Sequence, residues 1–233
     1  MTSASEQLNS VWQAARQAGV ANRFSIDPRI PESEESYGLG LGIVLLPDVP
    51  TVSDIATVIQ KIKNFDSSQY WYENESLHIT LHSIVWSKKQ FLPDETSLMR
   101  IKNTIRPAFS GAGFPLLELR GLNIFPGSDA QVGSIVMQGF PNADLLLLRD
   151  RIRQSIMDAG FPDRRNYAFG RGDYLTCAIG RLRKQPSIKL MGRIAELREE
   201  IFTRFYVSEA LFVTNSYFFN PKLTAVHERF KIL

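Results

Sequence analysis

The sequence predicts an α+β fold built on mixed or antiparallel sheets, and three observations lead there. Helical and strand periodicities alternate along the chain. Several neighbouring strand segments are joined by turns too short for a crossover helix, which suggests mixed or antiparallel sheets. One arrangement, a strand, a helix and a second strand, occurs over 38–86 and again over 130–182. At 233 residues the chain is long enough for one large domain or two lobes sharing a core.

The elements follow in order. An amphipathic helix over about 4–18 ends at Gly19, and the proline-punctuated "SIDPRIPESEES" follows as a loop. "YGLGLGIVLLP" reads as a buried strand. "TVSDIATVIQKIKNF" reads as a helix capped by Thr51 or Ser53, with Val52, Ile55, Ile59 and Ile62 at helical spacing. "SLHITLHSIVW" alternates as a strand, which puts Ile79 and Leu81 on one face and His78, Thr80 and His82 on the other. A helix over roughly 94–109 buries Leu98, Ile101 and Ile105. "FPLLELRGLNIF" and "AQVGSIVMQGF" are strands joined by a turn at Pro126–Asp129. The next helix is capped by Asn142 and stopped by Gly160. "GDYLTCAIGRL" is a strand, about 187–204 a helix, and "SEALFVTNSYFF" and "AVHERFKIL" close the chain as strands.

Composition excludes several classes. A hydrophobic share of 44% and a charged share of 22% are those of a globular protein. The apolar runs are far shorter than the ~20 residues that cross a bilayer, and the N-terminus lacks the basic-then-apolar order of a signal peptide. One cysteine, Cys177, allows no internal disulfide and suits the cytoplasm. A net charge of +3 permits an anionic ligand without demanding one.

His78 and His82 have H-x-x-x-H spacing, but that spacing converges on a metal from a helix. Along a strand it separates the Cα atoms by about 13 Å, and the sequence has no further Cys/His cluster to complete a site. "GLGLG" (38–42) lies within a strand pattern, where close backbone packing explains it better than a dinucleotide cradle. Arg171-Gly172-Asp173 reads as the turn entering a strand. Cys177 shares a face with Leu175 and Ile179 and reads as a core residue, and His227 reads as an exposed strand histidine. The remaining signal is His78-x-Thr80, echoed by Tyr174-x-Thr176. Residues i and i+2 project to one face, so a proton-transfer group and a hydroxyl stand side by side on each strand. Two such strands facing each other would hold a phosphate from both sides.

Trp71 followed by "NESLHITL" resembles the "W…PENLHLTL" motif of the two-histidine (2H) phosphoesterase superfamily, the group that contains the LigT-like RNA ligases and cyclic phosphodiesterases. "LLELRGLNIFPGSDAQVGSIVMQGFPNADLLLLRDRIRQSIMDAG" is similar to that family's middle section, and "EALFVTNSYFFNPKLTAVHERFKI" to its closing hairpin. The resemblance spans 37–233. It implies a single bilobal domain there: two pseudo-symmetric α+β lobes, with mostly antiparallel sheets flanked by helices, around a central groove. Residues 1–36 are then a helical extension and loop.

The resemblance further implies a metal-independent phosphoesterase, without cofactor, acting on a cyclic phosphate or an RNA-end phosphodiester. The ligand is a nucleotide or RNA-end phosphate, and no membrane is involved. His78 supplies the acid or base, Thr80 and Thr176 hold the phosphate, Arg171 and Arg181 add charge, and His82 lines the groove's end. The chain departs from the family where its second motif histidine stands, at Tyr174. A phenol of ordinary pKa near 10 donates a proton or a hydrogen bond but is a poor base. The alternative is a degenerate module of the same fold that binds a nucleotide or RNA end without turnover, and a third reading is a protein-interaction scaffold. Oligomeric state is not legible.

Overall fold

The computed structural model describes residues 3–32, 37–87, 94–128, 131–161 and 174–232. The chain opens with α1 (Ala4–Ala21), whose capping box pairs the Ser3 hydroxyl with the Glu6 amide and the Glu6 carboxylate with the Ser3 amide. The helix runs past Gly19 and stops at Asn22, which takes the left-handed conformation at φ 53°. Then come β1 (Leu39–Leu45), α2 (Val49–Lys63), the short β2 (Tyr70–Trp71) and β3 (Ile79–Ser87). The cap of α2 is Asp48, not Thr51 or Ser53: its carboxylate accepts the Thr51 amide and Pro50 lies in the first turn.

α3 (Glu95–Ile105), β4 (Leu116–Phe125), β5 (Ser134–Pro141), α4 (Ala143–Asp158) and β6 (Leu175–Arg181) follow. Asn142 caps α4 and Gly160, at φ 85°, lies just beyond its end. α5 (Ile188–Glu196) is half the length its sequence suggests. "IFTRFY" leaves it as β7 (Ile201–Tyr206) because its β-branched and aromatic residues pair along β4. β8 (Glu209–Ser216) and β9 (Ala225–Lys231) form the closing hairpin.

Among the described residues the strands form one antiparallel sheet in the order β7-β4-β5-β6-β3-β1-β8-β9, with β2 beside β6. Four strands lie on each side of the β6–β3 seam, and each half contributes one strand to it. The fold class is therefore α+β with two pseudo-symmetric halves. One face of both halves is apolar: Ile43, Leu45, Ile79 and Phe212 in one, Leu119, Met137, Cys177 and Ile179 in the other. The apolar stripes of α2, α3, α4 and α5 complete a single core on that face. The candidate site lies on the opposite face, the groove face.

The seam is narrow. β3 and β6 are paired at Ile79↔Cys177, and α4 reinforces them: the Arg149 guanidinium donates to the carbonyls of Leu81 and Tyr174, at 3.2 and 3.3 Å. Asn123 on β4 pairs with Val136, which pairs with Ala178 on β6, so Asn123 projects to the groove face. There its amide donates to the Leu8 carbonyl of α1 and to Gln138. The first half of α1 is thus anchored on the groove face of the β4 half, with Leu8, Val11, Trp12 and Ala15 buried beneath it. No helix of the described residues is long and apolar enough to cross a membrane.

Candidate functional site

His78 is the residue just before β3. Its Nδ1 lies 2.9 Å from the Ser76 carbonyl oxygen. A carbonyl only accepts, so Nδ1 carries the proton and Nε2 is left as the acceptor. Ser76 closes the 3₁₀ turn Asn74–Ser76, which presents that carbonyl to the ring. On its flat side the imidazole stacks on Phe219, with ring centroids 4.0 Å apart and planes 18° from parallel. Burial pushes the His78 pKa down to about 4; the Ser76 hydrogen bond opposes the shift and the Arg181 charge adds to it. At neutral pH this is an uncharged acceptor on the groove face.

Thr80 is exposed. It pairs with Val44, which clusters with Phe219, Leu211 and Val213 on the groove face. His78 and Thr80 therefore share that face. His82 does not continue the series. The β1–β3 register shifts between Ile43 and Val44, so that Val44 faces Thr80 but Ile43 faces His82, with Leu81 as the extra residue. This bulge turns His82 to the side of the core residue Ile43, and its side chain is buried. The expectation that three alternating residues share a face is corrected by that one extra residue.

On β6 the side chains alternate as expected. Leu175, Cys177 and Ile179 are buried in the core, and Tyr174, Thr176 and Ala178 are half-buried on the groove side. Burial pushes the Cys177 thiol up to about 12, which suits a core cysteine. The seam pair Ile79↔Cys177 sets what faces what. In this register Thr176 lies across from Thr80 and Ala178 across from His78. An axis between Thr80 and Thr176 relates His78 to Tyr174, the same match that aligning the two motifs by sequence gives. His78 and Thr176 are diagonal neighbours, about 7–8 Å apart between Cα atoms in such a ladder.

Arg181 ends β6 on the same face, paired with Ser134 and Tyr70. It donates from Nε to the Tyr72 hydroxyl at 2.9 Å and from Nη1 to the Tyr217 hydroxyl at 3.4 Å, and lies over the Tyr217 ring. Among the described residues its polar partners are these phenols, with no carboxylate in the set. Burial works against the guanidinium charge, but the Tyr72 and Tyr217 oxygens more than offset it, and the group stays cationic. Burial pushes the Tyr72 phenol up to about 12, against the pull of Arg181. A cation held by neutral hydroxyls keeps its charge available to an anion. Arg171 lies outside the described residues.

Sequence reasoning missed Phe219, Tyr72, Tyr217 and Ser76. The aromatic runs 70–72 and 217–219 were visible, but no spacing rule joins them to His78 or Arg181. His227 is also more engaged than expected: its Nε2 lies 2.7 Å from the Thr214 hydroxyl, away from the site on the outer hairpin. No group of three or more potential metal ligands occurs among the described residues.

No family model and no curated protein sequence matches the chain. Solved structures do match its fold. TT0787 of Thermus thermophilus superposes with a TM-score of 0.60 at 15% identity, over 83% of this chain and 97% of that one. LigT of E. coli in complex with NADP+ gives a TM-score of 0.55 at 12% identity, over 83% and 96% of the two chains. LigT complexed with phosphate gives 0.52 at 11% identity, over 82% and 96%. The fold is similar to that of TT0787 and LigT. Nearly all of each of those chains is matched, so the unmatched sixth of this chain is additional to the shared fold.

Proposed function

We propose that this chain is a metal-independent phosphoesterase of the two-histidine type, acting in the cytoplasm on a cyclic phosphate or an RNA-end phosphodiester. The observation that carries the reading is one groove face holding a neutral, tautomer-locked histidine, two threonine hydroxyls and a cation without a carboxylate among the described residues. His78 acts through Nε2 as general base toward water or a ribose hydroxyl. Thr80 and Thr176 hold the phosphoryl oxygens from the two strands, and Arg181 offsets the charge that builds on them. Tyr174, one pleat beyond Thr176, is the phenolic donor of β6. The fold likeness to LigT, which was crystallised with phosphate and with NADP+, supports an anionic, nucleotide-like ligand. Residues 37–233 form the bilobal domain, with 1–36 as an extension laid against it.

The test is hydrolysis of 2′,3′-cyclic nucleotides by wild type and by His78→Ala. Removing a general base costs about 10²–10⁴ in rate, so the variant should be silent beside the wild type. Equal rates in the two proteins remove the assignment.

One observation favours a second reading, a binding module without turnover: β6 offers no histidine to the groove, and Tyr174 stands where the second motif's histidine would. Saturable binding of a 3′-nucleotide by calorimetry, with no hydrolysis, is its expected signature. Tyr174→His then separates the two, because a second imidazole should create turnover in a protein that has only bound its ligand.

A further inference from the structure

The turn between β8 and β9 places three aromatic rings in a row, and the last of them is in an unusual state. Phe219 has φ 54°, in the left-handed region, where a bulky side chain is strained. The turn enforces this conformation. The Phe219 amide donates to the Ser216 carbonyl at 3.1 Å, and the Asn220 amide to the Ser216 hydroxyl at 2.8 Å. A glycine or asparagine would hold such a turn at less cost, so the turn alone does not account for a phenylalanine. The ring's environment does. It is buried against Val44, Leu211 and Val213 and lies flat on the His78 imidazole at 4.0 Å. Backbone strain of this kind concentrates where a site needs a fixed geometry.

We infer that Phe219 is a positioning residue of this site: its ring holds the plane of His78 and keeps water from it, so that Nε2 remains the one open atom of the imidazole. Two restraints act together, the Ser76 carbonyl on Nδ1 within the ring plane and Phe219 on the ring face. The inference rests on the site reading above and names what makes its base usable. A dry imidazole stays uncharged across the physiological range and keeps Nε2 free of a proton, while its lowered pKa makes it a weaker base than a solvated one. Of the titratable groups near His78, the Arg181 guanidinium acts on the ring, and the Cys177 thiol meets only the His78 backbone, from the core face. Ser76 and Phe219 bring none. The same turn sends Tyr217 to Arg181, so two residues of one turn brace the base and the anion holder.

The experiment follows His78 by NMR in protein labelled with ¹³C-histidine, its signal assigned through His78→Gln. Phe219→Leu removes the stack and keeps apolar bulk, Phe219→Gly removes ring and strain together, and Phe219→Tyr keeps the stack. The His78 midpoint should rise by about one pH unit or more in the first two and stay at the wild-type value in the third. The acid limb of kcat/KM should move with it. If both Leu and Gly variants titrate like the wild type, Phe219 does not hold this histidine and the inference falls. The NMR arm needs no substrate. Should the midpoint move while His78→Ala still turns over, the positioning of His78 stands and it is the catalytic reading that fails.

Discussion

His78 is uncharged in the folded protein because two forces of different kind act on it. The Ser76 carbonyl fixes which nitrogen carries the proton, and burial disfavours adding a second. The motif His78-x-Thr80 was readable from the strand pattern, since i and i+2 share a face. The depressed pKa was not, because it depends on Phe219, which is distant in sequence. Its sign has a consequence for stability. With a folded pKa of about 4 against the ordinary 6.5, the unfolded chain takes up a proton between those values that the folded chain refuses. Stability present above pH 6.5 should therefore fall as pH drops toward 4, by about 3 kcal/mol in full from this residue. Urea unfolding of His78→Gln at pH 7 and pH 4.5 should show a markedly smaller loss than the wild type. An identical loss would show that His78 is not the titrating group.

At the scale of elements, small irregularities decide what a strand presents. One extra residue at Leu81 separates His82 from Thr80, and no hydrophobic pattern marks such a bulge in advance. β4 has its own irregularity: its register with β5 shifts between Leu119 and Leu122. There Gly121 sits at φ 75° with no room for a Cβ, because the Arg198 carbonyl and the Gln138 amide occupy that space. The Gln138 side chain crosses over it to the Arg120 and Arg198 carbonyls, both at 3.2 Å. Across the seam, the Ile79↔Cys177 register sets Thr80 opposite Thr176. With the two threonines as the shared point of the motifs, Tyr174→His should raise 2′,3′-cyclic nucleotide hydrolysis above wild type, while Thr176→His, which removes a hydroxyl from the site, should not. The reverse result, measured side by side, would move the second motif to position 176.

For the molecule as a whole, the seam between the halves is the point of interest. Two four-stranded halves with their own helices meet at the Ile79↔Cys177 pair, and Arg149 of α4 joins the strands on either side by bonding Leu81 and Tyr174. Hydrogen bonds from a charged donor contribute about 1.5–3 kcal/mol each when removed. Arg149→Met should thus lower unfolding stability by about 2–4 kcal/mol. Hydrogen exchange should show the largest loss of protection at the β3 and β6 amides, ahead of the outer strands. A uniform loss over the sheet would mean that Arg149 is not a staple of the seam. α1 completes the molecule from outside the duplicated plan, with Asn123 anchoring Leu8 on the groove face.

Periodicity along the chain was sufficient for the class of fold, for most of the helices and strands, and for the placing of His78 with Thr80 and of Tyr174 with Thr176 on one face of each strand. Each of these rests on neighbours within a few residues, where side-chain direction follows from local backbone geometry. The half-length α5, the burial of His82, the stack of Phe219 on His78 and the phenols around Arg181 came from the folded molecule. All depend on register or contact between segments far apart in the chain, and a single-residue shift there exchanges the two faces of a strand. The strand of Thr176 carries the same residues in any register, and only its pairing with β3 decides that Thr176 lies across from Thr80.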